Sequence, residues 1–409
     1  MFGERYGLER IHSLLAALGQ PHRAAPAIHV VGSNGKSSTA RFAAAALASA
    51  GLKAGAYLSP HVRGWHERLE VDGAPATPER FADAVSAVRE AAGSLSEPVT
   101  QFEVLTAAAF VAFARERLDA MVIEAGLGGR YDATNVFDGS AVVALTRVDL
   151  EHTALLGQSR AEIAEEKLAV VHPGGATLVT GRLDADVEAG VARRSRETGV
   201  TQRRMGRDFS WSADGSGVVV QTPRATHPGL ILAARGDFQR DNLAVGLAAA
   251  EERIERAIPT DALRERLGRL TIAGRAEIIS HDPLIVADGA HNPAGAAAFS
   301  STLGTLLGDR QAVLVTSVLD DKDLTGILVA LAPYVGEVIA TASSHARARA
   351  PEEIARAASS VGKPARICDD PASALSTARR LAARDGAIVI AGSLYLIEDL
   401  RRCALLRDE

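Results

Sequence analysis

The stretch His29-Val30-Val31-Gly32-Ser33-Asn34-Gly35-Lys36-Ser37-Ser38-Thr39 decides the fold: an apolar run enters a glycine turn and leaves through Lys-Ser-Ser-Thr into an alanine-rich segment. Gly32 and Gly35 let backbone approach a bulky anion, the first-turn N–H groups of the following helix point at it, and Lys36 supplies a point charge. A polyphosphate is the anion such a turn suits. Only Ser33 and Asn34 separate the glycines, so the loop is shorter than the common G-x-x-x-x-G-K-[ST] pattern. Glycine turns also precede helices that bind nothing. The lysine favours the phosphate reading, because a packing turn has no use for an ammonium group there.

A chain of 409 residues exceeds the size at which a single core keeps growing, so two domains are expected. Charged residues make up 23% and hydrophobic residues 47%, an ordinary balance for a soluble enzyme. The formal charge of -5 argues against a general nucleic-acid binder, whose footprint is a basic surface. Cys368 and Cys403 stand in no C-x-x-C, which leaves no disulfide framework or thiolate metal site and fits a reducing cytoplasm. The start, Met1-Phe2-Gly3-Glu4-Arg5, carries charges where a signal peptide needs an apolar core, and no apolar run reaches membrane-spanning length. A soluble, cytoplasmic protein with no membrane association is expected.

Periodicity predicts strands at Ala27–Val31, Ala54–Leu58, Met121–Glu124 and Ala141–Thr146, with helices over Ser37–Ala50, 101–118, 159–171 and 184–199. Apolar strands alternating with helices imply a parallel sheet covered on both faces. Phe209–Ala233 reads differently: Ser212–Gly217 is a turn between two β-type runs, expected as antiparallel edge strands on the first domain. A second alternation follows, with strands at 284–287, 312–316, 336–341 and 387–391 and helices near 293–307, 323–333, 351–361 and 371–384. The fold class expected is α/β with two doubly wound domains, residues 1–272 and a smaller Rossmann-like unit over 273–409.

Open α/β sheets bind ligands beyond the carboxyl ends of their strands, so polar residues directly after the apolar runs carry the weight. Glu124 ends one run and precedes Ala125-Gly126-Leu127-Gly128-Gly129-Arg130. A carboxylate there can hold Mg²⁺ against phosphates, or serve as an N-cap or surface ion pair; spacing alone leaves both open. His152 follows the strand at 141–146, although a lone histidine is more often a hydrogen-bonded structural residue. Lys167 sits among Glu165, Glu166 and Leu168, where spacing by itself favours a helix-face ion pair. Asp288-Gly289-Ala290-His291-Asn292-Pro293 closes a strand and opens a helix with Pro293 suited to its first turn, and there a site reading leads.

The ordered set Gly32–Ser38, Ser59-Pro60-His61, Glu67-Arg68, Gln101-Phe102-Glu103, Glu124–Asn135, Glu151-His152-Thr153, Glu166-Lys167, Gly236–Asn242, Gly274-Arg275, Asp288–Pro293 and Gly392-Ser393-Leu394-Tyr395 resembles the motifs of the folylpolyglutamate synthase/dihydrofolate synthase family, in the Mur ligase superfamily. The likeness spans nearly the whole chain. Gly-Leu-Gly-Gly-Arg-Tyr-Asp-Ala-Thr-Asn and Asp-Gly-Ala-His-Asn-Pro are its specific segments; the phosphate loop belongs to the wider superfamily.

The resemblance implies an N-terminal P-loop ATPase-like domain and a C-terminal glutamate-binding domain, with small-molecule substrates ATP, L-glutamate and a pteroate or folate. It implies that Ser59 and Glu124 hold one Mg²⁺ and that Glu124, His152 and Lys167 surround a second, with Lys167 N6-carboxylated. That would overturn the helix-face ion pair, since adding CO₂ to a neutral amine makes an anionic ligand. Asn242, Arg275 and Asp288 correspond to positions around ATP, between the domains, whose closure would assemble the site. Gly7, Leu8, Glu9, Arg10, Phe102, Asp132 and Ala133 correspond to the pterin site, and Arg347, Ser393 and Tyr395 to the incoming glutamate. Lys36, His291 and Lys167 are the catalytic candidates, and a monomer is implied.

The sequence departs from the family pattern at Ser37, usually glycine, at Ser33, often threonine, and at Leu168-Ala169, more usually Ala-Gly. Gly7-Leu8-Glu9-Arg10 lies close to the start, which bears on the pterin pocket and on the choice of acceptor. A peptidoglycan Mur ligase needs a full domain ahead of the phosphate loop, and only 31 residues precede Gly32. A kinase or nucleotide switch leaves Arg275 and Asp288 without a role, and a non-catalytic paralogue leaves Ser59, Glu124, His152 and Lys167 without one. Another superfamily amide ligase acting on a different carboxylate is the remaining alternative.

Overall fold

The computed structural model describes residues 7–174, 177–403 and 405–406. They divide into two compact units, the first drawn from the described residues of 1–60, 65–232 and 239–269 and the second from those of 61–64, 233–238 and 270–409. No helix among the described residues is long and apolar enough to cross a membrane.

The first unit holds strands β1 (Ala27–Val31), β2 (Ala54–Tyr57), β3 (Leu69–Val71), β4 (Ala74–Pro75), β5 (Ala120–Glu124), β6 (Val142–Leu145), β7 (Leu178–Thr180) and β8 (Gln202–Arg204) in the order β4-β3-β2-β5-β1-β6-β7-β8. Pairing is parallel from β2 to β8 and antiparallel where β3 meets β2 and β4. Its helices are α1 (Glu9–Ala17), α2 (Lys36–Ser49), α3 (Pro78–Ala92), α4 (Gln101–Glu116), α5 (Thr153–Leu156), α6 (Arg160–Leu168), α7 (Ala185–Thr198), α8 (Asp237–Ile254) and α9 (Thr260–Leu267). All five residues of β1 and of β5 are buried, as strands covered on both faces must be. Met121 and Ile123 enter one core with Phe110 and Phe113 of α4, while Val143 and Leu145 of β6 join another with Ile163 and Leu168 of α6.

The antiparallel edge comes from 69–75 and not from 209–233. The latter forms a separate sheet of β9 (Ser210–Asp214), β10 (Gly217–Gln221) and β11 (Thr226–Leu230), turning through Gly215-Ser216. Its apolar side chains explain the detachment: Val218, Val220 and Leu230 are buried on one side, with β11 against α9, whereas most of β9 is exposed.

The second unit is a sheet of β12 (Glu277–His281), β13 (Leu284–Ala287), β14 (Ala312–Thr316), β15 (Val335–Ala340), β16 (Ala365–Ile367) and β17 (Ala387–Ala391), ordered β12-β13-β17-β14-β15-β16. All its pairs are parallel except β12 with β13. Alternation sends Leu284, Val286, Leu314, Val338 and Val389 to one face, against α10 (Pro293–Leu307), α11 (Leu324–Leu331) and α12 (Pro351–Ser360). Ile285, Val313, Ile339, Ile388 and Ile390 turn to the other, against α13 (Pro371–Ala382) and α14 (Leu394–Arg402).

Candidate active site

In the first unit β1 ends at Val31 and the chain turns at Gly32, with φ +150°, and at Gly35, with φ +88°, which caps α2. Both glycines are forced by contact as well as conformation. A Cβ on Gly32 would lie 1.9 Å from Thr146 Oγ1, and one on Gly35 2.3 Å from Asn242 Oδ1. The loop is braced by the residues after β6: Ser33 N–H donates to Arg147 O at 2.7 Å, Asn34 Nδ2 to Asp149 Oδ2 at 2.8 Å, and Thr146 Oγ1 to Asn34 O at 2.7 Å. Lys36 Nζ donates to Gly32 O at 2.9 Å and Ser33 O at 3.2 Å, so its charge stays over the loop. Ser38 is buried in the first turn of α2.

Glu124, 1% exposed at the end of β5, accepts from Ser37 Oγ at Oε1 and from Ser59 N–H at Oε2, each at 2.8 Å. Burial raises its carboxyl pKa, against the Lys36 charge and these hydrogen bonds. Glu124, Ser37, Ser59 and Lys36 therefore converge, and Ser37 occupies its unusual position with a specific bond. Neither the N-cap nor the surface ion pair describes Glu124.

Lys167 is 1% exposed, on the stripe of α6 that also buries Ile163 and Ala164, four and three residues earlier. Its Nζ donates to Glu151 Oε1 at 2.7 Å and Gly32 O at 2.8 Å. The helix-face pair is thus corrected: Glu165 and Glu166 lie on the outer side, bonded to Arg193 and Arg130. Burial drives the Lys167 pKa down. For Glu151 burial acts upward, but Lys167 and Lys36 outweigh it and hold the carboxyl below its ordinary value. His152 follows at φ +46°, ahead of α5, close enough for its charge to act on Glu151.

The 125–135 loop packs onto α6: Arg130 N–H donates to Glu166 O at 3.0 Å, and a Cβ on Gly129 would lie 2.7 Å from Lys167 O. Asp132 is buried and accepts from Leu127 N–H at 2.8 Å and Thr134 Oγ1 at 2.5 Å; Ala133 beside it is also buried. Phe102 of α4 lies against Gly126, where a Cβ would come within 2.4 Å of its ring, and against Tyr57 at 6.3 Å between centroids. Gly7 and Leu8 lead into α1, which Glu9 opens; Arg10 Nε spans the two Glu103 oxygens at 3.2 and 3.3 Å and so ties α1 to α4. Asn242 Nδ2 donates to Gln239 Oε1 at 3.1 Å, leaving Oδ1 toward Gly35.

In the second unit Asp288 follows β13, buried, and accepts from Ala276 N–H at 2.7 Å and Ala290 N–H at 2.8 Å. Burial lifts its pKa to about 6, opposed by the Arg275 charge. His291 Nδ1 donates to Gly289 O at 2.8 Å, and Asn292 caps α10 ahead of Pro293. Ser393 caps α14, Tyr395 stacks on His345 with centroids 4.3 Å apart, and Arg347 N–H donates to His345 Nδ1 at 3.1 Å. Arg347 also pairs with Asp321 at 3.3 Å. His345 thus joins Arg347 to Tyr395, a link that only the fold reveals. Asp149 and Glu151 bore a sequence signal, their place after β6, that singled out His152 alone.

The oxygens of Glu124, Ser37 and Ser59 are hard donors of the kind Mg²⁺ takes. Among the described residues no group of three or more His, Cys, Asp or Glu could hold a metal. A Mg²⁺ bound here would take its remaining ligands from water and phosphate oxygens, its usual habit, and a Lys167 amine would offer it nothing unless carboxylated.

Residues 274–394 match the family described as Mur ligase, glutamate ligase domain. The dihydrofolate synthase/folylpolyglutamate synthase of Mycobacterium tuberculosis is 34% identical over 391 residues, 88% of this chain and 79% of that protein. The solved folylpolyglutamate synthase of that organism complexed with ADP superposes with a TM-score of 0.92 at 32% identity, over 98% of this chain and 95% of that one. The bifunctional folylpolyglutamate synthase/dihydrofolate synthase of Yersinia pestis, complexed with AMPPNP and a Mn ion, gives 0.87 at 28% identity over 99% and 95%. Motif order, fold and similarity over most of the length agree: the chain is a ligase and belongs to the folylpolyglutamate synthase/dihydrofolate synthase family.

Proposed function

We propose that the enzyme uses ATP to join L-glutamate to the carboxylate of dihydropteroate, of a reduced folate, or of both. The observation that carries this reading is the meeting of Lys36, Ser37, Ser59 and Glu124 at the start of α2, a polyphosphate and cation site, in a chain whose relatives bear these activities in their names.

A carboxylate is a poor electrophile. One of its oxygens attacks the γ-phosphorus of ATP, the bond to the β-γ bridging oxygen breaks, and ADP leaves an acyl phosphate. The neutral glutamate amine then attacks the acyl carbon, phosphate departs with the bonding pair, and the amine loses a proton to give the amide. Lys36 stabilises charge spread over the transferring group, where electrostatic catalysis is worth most. Two Mg²⁺ ions would supply the remaining compensation, held by Ser59 and Glu124 and by Glu124, His152 and an N6-carboxylated Lys167. Gly32 to Ser38, Asn242, Arg275 and Asp288 are assigned to ATP; Gly7 to Arg10, Phe102, Asp132 and Ala133 to the pterin-bearing acceptor; Arg347, Ser393 and Tyr395 to glutamate. His291 is assigned to the γ-phosphate region. The division at 272/273 separates an ATP-binding from a glutamate-binding domain in this reading, and the enzyme acts as a cytoplasmic monomer.

ADP release is the test. It should require both glutamate and a pteroate or folate acceptor; glutamate-independent turnover would point to a nucleotide switch, and turnover with an unrelated carboxylate to another superfamily ligase.

A further inference from the structure

Below the 125–135 loop lie two histidines that the reaction leaves without a role. His29, on β1 three residues before Gly32, is 1% exposed, with Nε2 2.7 Å from Thr134 Oγ1. The Thr134 hydroxyl donates its single hydrogen to a bond with Asp132 Oδ1 at 2.5 Å, and the Thr134 backbone N–H donates to the same oxygen at 3.0 Å. The proton in the His29–Thr134 bond therefore comes from His29 Nε2, which fixes the tautomer. His172 makes the parallel connection: its Nε2 lies 2.8 Å from Asn135 Oδ1, whose own Nδ2 donates to Arg130 O at 3.1 Å. Asn135 presents an acceptor, so His172 Nε2 is also protonated.

We infer that His29 and His172 are positioning residues for the acceptor, clamping the loop of Asp132 and Ala133 through Thr134 and Asn135. This rests on the assignment of Asp132 and Ala133 to the acceptor. A pure packing role would be met by an apolar side chain, for His29 has Phe137 edge-on at 5.6 Å and burying an imidazole without partners is costly. The side-chain hydrogen bonds of both rings run to consecutive residues of one loop, Thr134 and Asn135. Burial holds the His29 pKa down to about 3 and lowers that of His172, so both rings are neutral donors in the physiological range. Because β1 continues into the phosphate loop, His29 also ties the acceptor loop to the strand that sets Gly32.

The test compares His29→Leu and His172→Leu with His29→Gln and His172→Gln, whose amide nitrogen can stand in for Nε2. Losing one such bond should raise the acceptor KM about tenfold in each Leu variant, with the ATP KM unchanged and the Gln variants restored toward wild type. Equal change in both KM values, or no rescue by Gln, overturns the inference. Should the Leu variants fail to fold, nitrogen NMR of the wild type decides: Nε2–H on both rings supports the clamp and Nδ1–H overturns it. Calorimetry of wild type with dihydropteroate and with a reduced folate separates the two levels, because absence of binding there contradicts the proposed function, whereas normal binding with unaltered Leu variants contradicts only the clamp.

Discussion

Lys167 Nζ donates to Glu151 Oε1 at 2.7 Å with both side chains buried. The same nitrogen reaches Gly32 O, so an ammonium here links α6, the segment after β6 and the first glycine of the phosphate loop. Carboxylating Lys167 would replace the donor by an anion facing Glu151, an arrangement that needs a cation between them. Burial lowers the pKa of Lys167 and so favours the neutral amine, the form that attacks CO₂. Lys167→Ala should lower kcat on the order of 10²–10³-fold, the scale of losing one charge-stabilising group. Carbon NMR after equilibration with isotopically labelled bicarbonate should show a carbamate in wild type and none in the variant; unchanged turnover in Lys167→Ala would count against the assignment.

Gly35 and Asn242 sit so close that no side chain fits between them. Gly35→Ala places a methyl group 2.3 Å from Asn242 Oδ1, at a φ that costs an L-residue about 1–2 kcal/mol. The ATP KM should rise at least tenfold while the glutamate KM holds. An unaltered ATP KM would show that neither the turn nor Asn242 contributes to nucleotide affinity.

Asp288 gives a pH signature. Its carboxyl is held up to about 6, so it becomes charged in the folded protein only as pH rises through that value. Between the unfolded value near 4 and this one the folded state binds more protons, and Asp288 withdraws stability as pH rises across that window. If the carboxylate contacts ATP, nucleotide affinity should improve through pH 6. Asp288→Asn should remove that step from the pH dependence of the ATP KM; a step retained in the variant would assign it to another group.

Buried histidines make the first unit acid-labile. Desolvation lowers His29 to about 3 and His22 to about 4, below the ordinary 6.5. Between those values and 6.5 the unfolded chain takes up protons that the folded one refuses, so stability falls as pH drops through this range. Urea midpoints measured from neutral pH down to pH about 4 should decline, and His29→Gln should flatten the decline. A midpoint independent of pH would contradict the burial argument.

Much of this was legible because local chemistry and fold agree. The buried β1 and β5, the glycine turn and Pro293 at the start of α10 each announce themselves within a few residues. What escaped depends on packing between distant segments. The 209–233 hairpin reads as an edge, yet where it packs is set by α9, and Lys167 reads as a surface residue among glutamates until its place beside Ile163 and Ala164 is seen as the buried stripe. The His345–Tyr395 stack joins residues 50 positions apart and leaves no local trace.

The most direct test of the account is a coupled assay of ADP release with glutamate present, comparing dihydropteroate with a reduced folate as acceptor and identifying the product by mass. The account expects ADP and a product longer by one glutamyl residue in equal amounts with at least one acceptor, and neither when glutamate is withheld. ADP formed without an amide product, or no turnover on either acceptor by a folded, ATP-binding enzyme, would contradict it.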